Sequence, residues 1–137
     1  MSSPLDSSIQ TFLQNGPFAV VGASSDREKY GNKVLRCYQQ HGLEVFPINP
    51  RATEIEGLKA YSSLEALPKK VVGISVITPP KITESVVQEA IRAGVKAIWM
   101  QPGAEHPEAI RAAEAAGLKV IANGPCLLVV LGYRESH

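Results

Sequence analysis

Four cations, Lys29, Lys33, Arg51 and Lys81, stand on or just after short stretches of small and turn-forming residues. Those stretches are Gly22-Ala23-Ser24, Asn49-Pro50-Arg51 and Thr78-Pro79-Pro80. Two more of the same make-up, Gln101-Pro102-Gly103 and Asn123-Gly124-Pro125, follow later in the chain. Glycine and alanine let a backbone come close to a ligand, and proline fixes a loop without adding bulk. Small loops beside cations suit an anion, above all a phosphate held by backbone N–H groups. A lone lysine is usually only solvated, and any loop needs turn residues. The anion reading therefore requires that the fold gather these segments at one edge.

Other chemistries find less support. His41 falls at a helix end, His106 precedes Pro107, and His137 is the last residue; none has a carboxylate or nucleophile at a telling spacing. Cys37 and Cys126 form no Cys-x-x-Cys pair and no Cys/His cluster of metal-ligand spacing, so neither a metal site nor a disulfide framework is expected. Cys37 reads as structural. Cys126 reads either as packing or as a thiol near a strand end. The formal charge of +1 argues against a nucleic-acid surface, so a phosphate site would have to be local. No stretch resembles a signal peptide or a membrane span, and the expected compartment is the cytoplasm.

The elements that would position these residues alternate. Ser7 or Ser8 is expected to cap a short helix ending near Gly16. Apolar runs at residues 17–23, 43–48, 71–77, 95–100 and 118–122 read as five strands. Helices are expected over residues 32–41, from about 82 to Ala93, and from Pro107 to Ala116, with a short one between Ser62 and Pro68. Residues 51–61 read as an irregular connection. Nearly continuous apolar strands alternating with helices predict an α/β fold: a Rossmann-like, doubly wound, five-stranded parallel sheet, ordered 3-2-1-4-5 with helices on both faces. The 137 residues form a single domain on this reading. All five small-residue segments then follow strand carboxyl ends, where open parallel sheets bind ligands.

The first segment does not fit a dinucleotide fingerprint. From Gly22 the chain runs Gly-Ala-Ser-Ser-Asp-Arg, which fails the second and third glycine positions. The acidic residue that would accept ribose hydroxyls after the second strand is also missing, and Arg51 stands nearby instead. A cation there suits an extra phosphate on an adenosine, as in coenzyme A or NADP.

With these segments laid out, the chain resembles the small stand-alone CoA-binding domain proteins, which are similar to the nucleotide-binding domain of succinyl-CoA synthetase alpha subunits. The likeness is carried in order by VVGASSDREKYGNKV, VFPINPRATEIEGLKAY, VITPP, AIWMQPGAEHPEA and AAGLKVIANGPC, spanning about residues 15–130. It implies that Gly22, Ala23, Ser24 and Lys33 line the diphosphate end of a coenzyme site. Asn49, Pro50 and Arg51 would flank the adenosine and its 3′-phosphate. Thr78, Pro79 and Lys81 would form another wall, and Gln101, Pro102 and Gly103 would face the middle of the ligand. Tyr61 would pack on the base, on the pantetheine arm or in the core. Relatives often carry an arginine before the cysteine matched by Cys126, where this chain has Pro125, so the resemblance implies no arginine contact at this position.

In the synthetases a phosphorylated histidine and a second domain supply the chemistry, and the resemblance here covers only the nucleotide-binding part. The expectation is a module that binds coenzyme A or an acyl-CoA without catalysis and presents it to another protein or an acyl-CoA enzyme. Two rivals remain open: a small NADP-linked oxidoreductase, and a redox protein forming a mixed disulfide with the coenzyme through Cys126.

Overall fold

Short apolar runs whose side chains alternate between two faces build the centre of the molecule. The computed structural model describes residues 4–134, with side chains from Ser7 onward. The elements are α1 (Pro4–Gln14), β1 (Phe18–Val21), α2 (Tyr30–Gln40), β2 (Val45–Ile48), β3 (Glu54–Ile55), β4 (Leu58–Lys59), a 3-10 turn (Leu64–Ala66), β5 (Gly73–Val76), α3 (Pro80–Ala93), β6 (Ala97–Met100), α4 (Pro107–Ala115), β7 (Lys119–Ile121) and α5 (Leu127–Leu131). Five strands form one parallel sheet in the order β2-β1-β5-β6-β7, and β3 and β4 form a separate antiparallel hairpin.

Strand β1 shows why both faces are covered. Phe18 and Val20 point into a core with Phe12, Val34, Leu35 and Leu127, supplied by α1, α2 and α5. Ala19 and Val21 point into the opposite core with Val86, Val87, Ala109 and Ala113, supplied by α3 and α4. All four β1 side chains are buried. A two-residue period with both faces apolar is what a doubly covered parallel strand requires. Between the layers, the buried Tyr38 hydroxyl of α2 lies 2.7 Å from Ser75 Oγ on β5. Burial pushes that phenol upward from its ordinary range.

The fold class expected from the sequence is formed, and each of the five strands lies within its expected run. The strand order differs. Counted along the main sheet it is 2-1-3-4-5 rather than 3-2-1-4-5, because β5 pairs with β1 and not outside β2. Residues 49–70 contain no helix able to carry a third strand outward past β2. They fold back along its free edge instead: Tyr61 N–H donates to Pro47 O (3.0 Å) and Asn49 N–H to Tyr61 O (2.9 Å). Pro47 has no N–H to offer on that side, which suits an edge strand.

Three smaller expectations also change. The first helix begins at Pro4, so Ser7 and Ser8 lie inside it rather than capping it. Helix α2 begins two residues earlier than expected, at Tyr30. The stretch 51–61 is not irregular: it holds the β3–β4 hairpin, turned by Glu56 (φ 50°) and Gly57 (φ 79°). Two positive φ values in a two-residue loop match the strand twist.

Gly31 sets how closely α2 approaches the sheet. A Cβ at this position would lie 2.0 Å from the Gly22 carbonyl oxygen, which is backbone and cannot swing aside. Replacing Gly31 with alanine should lower stability by about 2–3 kcal/mol, the range for overpacking a rigid contact. Urea unfolding checks this, and an unchanged midpoint would show that helix and strand can part freely.

Candidate functional site

A cleft of about 720 Å³ opens beyond the carboxyl ends of β1, β2 and β5. It lies where β1 is flanked by strands reached through crossovers of opposite direction, the position favoured for ligands in this class of sheet. Its floor is the loop after β1. Gly22 takes φ 97°, and a Cβ there would meet the Ile77 carbonyl oxygen at 2.5 Å. Only glycine satisfies both the left-handed backbone and the close approach.

Asparagine side chains tie the neighbouring loops to this floor. Asn49 Nδ2 donates to Ala23 O (2.9 Å), while its Oδ1 accepts the Arg51 N–H (2.8 Å), so the loop after β2 is fixed to the loop after β1. Asn32, fully buried in the first turn of α2, donates to Ser24 O (2.9 Å) and to Glu56 Oε2 (3.0 Å). Its Oδ1 accepts from Arg36 Nε at 2.6 Å. Arg27 closes the same network with a two-pronged contact to the Glu56 carboxylate, both distances 3.2 Å. The hairpin tip is thereby latched to the loop between β1 and α2. The Asn32 hydrogen bond holds the Glu56 carboxyl below its ordinary value against the opposing effect of burial, and Arg27 adds to the lowering.

The helix starts around the sheet are treated unequally. The first N–H of α5, on Leu127, is taken by Gln101 Oε1 (2.9 Å). The α4 start is capped by His106 Nδ1, which accepts from Ala109 N–H, and the 3-10 turn starts with Leu64 N–H on the Glu89 carboxylate. By contrast α2 and α3, whose first turns line the cleft, have no side-chain cap. In α2 the Asn32 N–H already donates to Lys29 O (3.1 Å). In α3 Pro80 has no N–H, and Ile82 N–H donates to Pro79 O (2.8 Å). The first-turn N–H groups without a partner among the described residues are therefore those of Tyr30, Gly31 and Lys81. Lys29 and Arg51 line the same cleft, and neither makes an ion pair among the described residues. Two exposed apolar side chains, Tyr30 and Ile82, stand on its rim (60% and 49% exposed).

Of the residues expected at a site, Gly22, Ala23, Ser24, Asn49, Pro50, Arg51, Thr78 and Pro79 line this cleft. The others do not. Lys33 is half-buried one turn into α2, and Lys81 is exposed beside the lining residue Ile82. Tyr61 packs edge-on against Phe46 (6.0 Å between rings) with Lys59 Nζ 5.3 Å above it, in a separate depression. Gln101 is buried and holds α5, while Pro102 and Gly103 form an exposed turn after β6. Cys126 is half-buried at the start of α5. Cys37 is buried, and its thiol is pushed up to about 11 by burial and then by the nearby Cys126. Trp99, fully buried, donates to Pro125 O (3.0 Å).

Sequence reasoning passed over Tyr30, Gly31, Ser62, Ile82, Val86 and Glu89, all of which line the cleft. Gly31 had a detectable signal. It stands nine residues after Gly22 and makes the close helix–strand contact, behind a longer loop than the dinucleotide pattern allows.

The CoA binding domain model matches residues 17–132. This chain belongs to the CoA-binding domain family. The alpha subunit of acetate–CoA ligase (ADP-forming) II from Pyrococcus furiosus is 33% identical over 88 residues, covering 64% of this chain and 19% of that subunit. The chain thus spans about a fifth of that curated relative's length. YneT of Bacillus subtilis is 29% identical over 122 residues, covering 88% of this chain and 90% of YneT. Among solved structures, a hypothetical protein from Pyrococcus horikoshii superposes with a TM-score of 0.87 at 31% identity, covering 93% of this chain and 89% of that one.

In this CoA-binding domain, the latch at Glu56 carries a sign for acid. Its folded-state pKa is depressed, so it contributes stability above the ordinary glutamate value and loses it as pH falls through the depressed one. Hydrogen-exchange protection factors at residues 54–59, which correct for the intrinsic pH dependence of exchange, should therefore fall as the solution is acidified below the ordinary glutamate range. Glu56→Gln should raise exchange at neutral pH and flatten the acid response, whereas an unaltered acid response in the variant would remove Glu56 from the latch.

Proposed function

We propose that the chain binds coenzyme A, free or as an acyl-CoA, in the cleft over β1, β2 and β5, and carries out no reaction of its own there. The observation that carries this reading is the pair of helix starts, α2 and α3, left without side-chain caps at the cleft, while the starts of α4 and α5, each with a side-chain partner, lie outside it. Each such terminus favours an anion by about 0.3–1 kcal/mol, and Lys29 and Arg51 add mobile positive charge. Family membership points to the same ligand class.

The residues fit the group. The cleft volume lies within the ~300–1,000 Å³ of small-molecule sites. Its diphosphate would rest on the uncapped first turns and the Gly22-Ala23-Ser24 backbone. Arg51, its backbone fixed by Asn49, would meet the 3′-phosphate. Tyr30 and Ile82 would cover the ligand's apolar parts on the rim. The cleft's one carboxylate, Glu89, already accepts the Leu64 N–H and so serves positioning. What the coenzyme supplies when bound is a thiol or thioester, which another protein would use.

Calorimetry with coenzyme A, dephospho-coenzyme A and NADPH tests this. Coenzyme A should bind most tightly, and removal of its 3′-phosphate should cost about two- to fivefold in affinity, the worth of a partly exposed charge pair. Arg51→Gln should bind the two forms equally. Equal binding of both by the unaltered protein would remove Arg51 from the site, and tighter binding of NADPH would favour a nicotinamide-linked enzyme instead.

A further inference from the structure

A second cavity, of about 440 Å³, lies at the opposite edge of the sheet, between α1 and the amino ends of β5, β6 and β7. Its origin is local. A Cβ on Gly73 would come within 2.8 Å of the Phe12 ring, so the glycine lets Phe12 seat directly on the start of β5. Phe12 is further fixed by Phe18 and Trp99, each 5.4 Å away between ring centroids. The helix is pinned at this one ring, and beside it the chain leaves a hollow with Phe12, Val72, Ala97 and Ile121 in its wall.

Polar groups complete the lining asymmetrically. Ser7, Ser8 and Thr11 come from α1, Asn15 from just after it, and Lys96 and Lys119 from two adjacent strand starts, where Lys119 N–H donates to Lys96 O (3.0 Å). Both lysines are exposed, and neither makes an ion pair among the described residues. Among the described residues, no carboxylate lines the hollow. Lys119 pairs in register with Ala97, the residue after Lys96, so both cations border the same end of the hollow and an anion there would meet positive charge from two strand starts. An apolar wall with two ammonium groups and hydroxyls selects a ligand with an apolar body and one anionic head. The one aromatic ring in the wall, Phe12, is 3% exposed, so no face is offered for stacking a nucleobase.

From this we infer that the cavity beneath α1 is a second binding site, which takes a small amphiphilic carboxylate with its head at Lys96 and Lys119. The site is separate from the coenzyme cleft, from which the sheet divides it, and does not depend on the reading of that cleft.

The test uses the full chain, followed by amide NMR, with butanoate, hexanoate, octanoate, hexanol and hexylamine as probes, each below any micelle-forming concentration. Hexanoate should move the amides of residues 7–15, 96–97 and 119–121, with hexanol weaker and hexylamine weakest. Affinity should rise by about fourfold for each methylene added, the worth of burying that group. The surface variant Lys96→Glu/Lys119→Glu should lose about tenfold or more for hexanoate, and Lys96→Arg/Lys119→Arg should keep most of the affinity. Coenzyme A titrated into the same variants should bind as in the unaltered protein, which keeps a failure here distinct from a failure at the cleft. Hexanol binding as tightly as hexanoate, shifts confined to other residues, or hexanoate affinity untouched by the double charge reversal would each overturn the inference.

Discussion

The start of α2 presses its Gly31 backbone against the Gly22 carbonyl at the end of β1, leaving no space for a methyl group between them. That contact places the helix's uncapped first turn directly over the strand end. It also brings Asn32, one residue on, into the buried position from which it reaches Ser24 and the hairpin carboxylate of Glu56. Arg36, a turn further along α2, completes the line by donating to Asn32. A bulkier side chain at residue 31 would lift the helix and separate this network at its origin. The cleft, the latch and the loop between β1 and α2 all depend on the same short approach.

The molecule divides its polar groups between the two edges of the sheet. At the carboxyl edge, the starts of α2 and α3 are left open where they meet the cleft, while Gln101 and His106 satisfy the starts of α5 and α4. Tyr30, Gly31 and Lys81 therefore keep first-turn N–H groups with no partner among the described residues, while side chains take the Leu127 and Ala109 N–H groups. The fold supplies a fixed electropositive surface, and Lys29 and Arg51 add adjustable charge. Pre-formed donors lose little freedom on binding, which favours a polyanionic ligand over a flexible lysine patch.

Much of this was legible in the residues. The apolar runs located all five main strands because burial on two faces leaves little room for polar side chains. The strand order was not legible, because it depends on residues 49–70 folding back onto β2, and the hydrogen bonds of Tyr61 that do this are made by backbone. The hairpin was missed because its Glu-Gly turn departs from the usual Asn-Gly and Asp-Gly signals. For the site, residues contributing through small size and loop position were readable, as with Gly22, Asn49 and Pro79. Gln101 was harder to read, since a polar residue at a strand end can serve a ligand or a neighbouring helix, and here its side-chain Oε1 accepts from Leu127 N–H. Tyr30 and Ile82 escaped notice because helical periodicity says which side chains leave the core, not what lies in front of them.

The most direct measurement is amide NMR mapping of the full chain titrated with coenzyme A. The account requires the largest shifts to fall together on residues 22–24, 29–32, 49–51 and 78–82, the backbone that surrounds the cleft, with residues 101–103 little affected. Shifts centred on residues 101–103 and 123–126 instead, or no saturable response at all, would contradict a phosphate cradle built on the contact between Gly31 and Gly22.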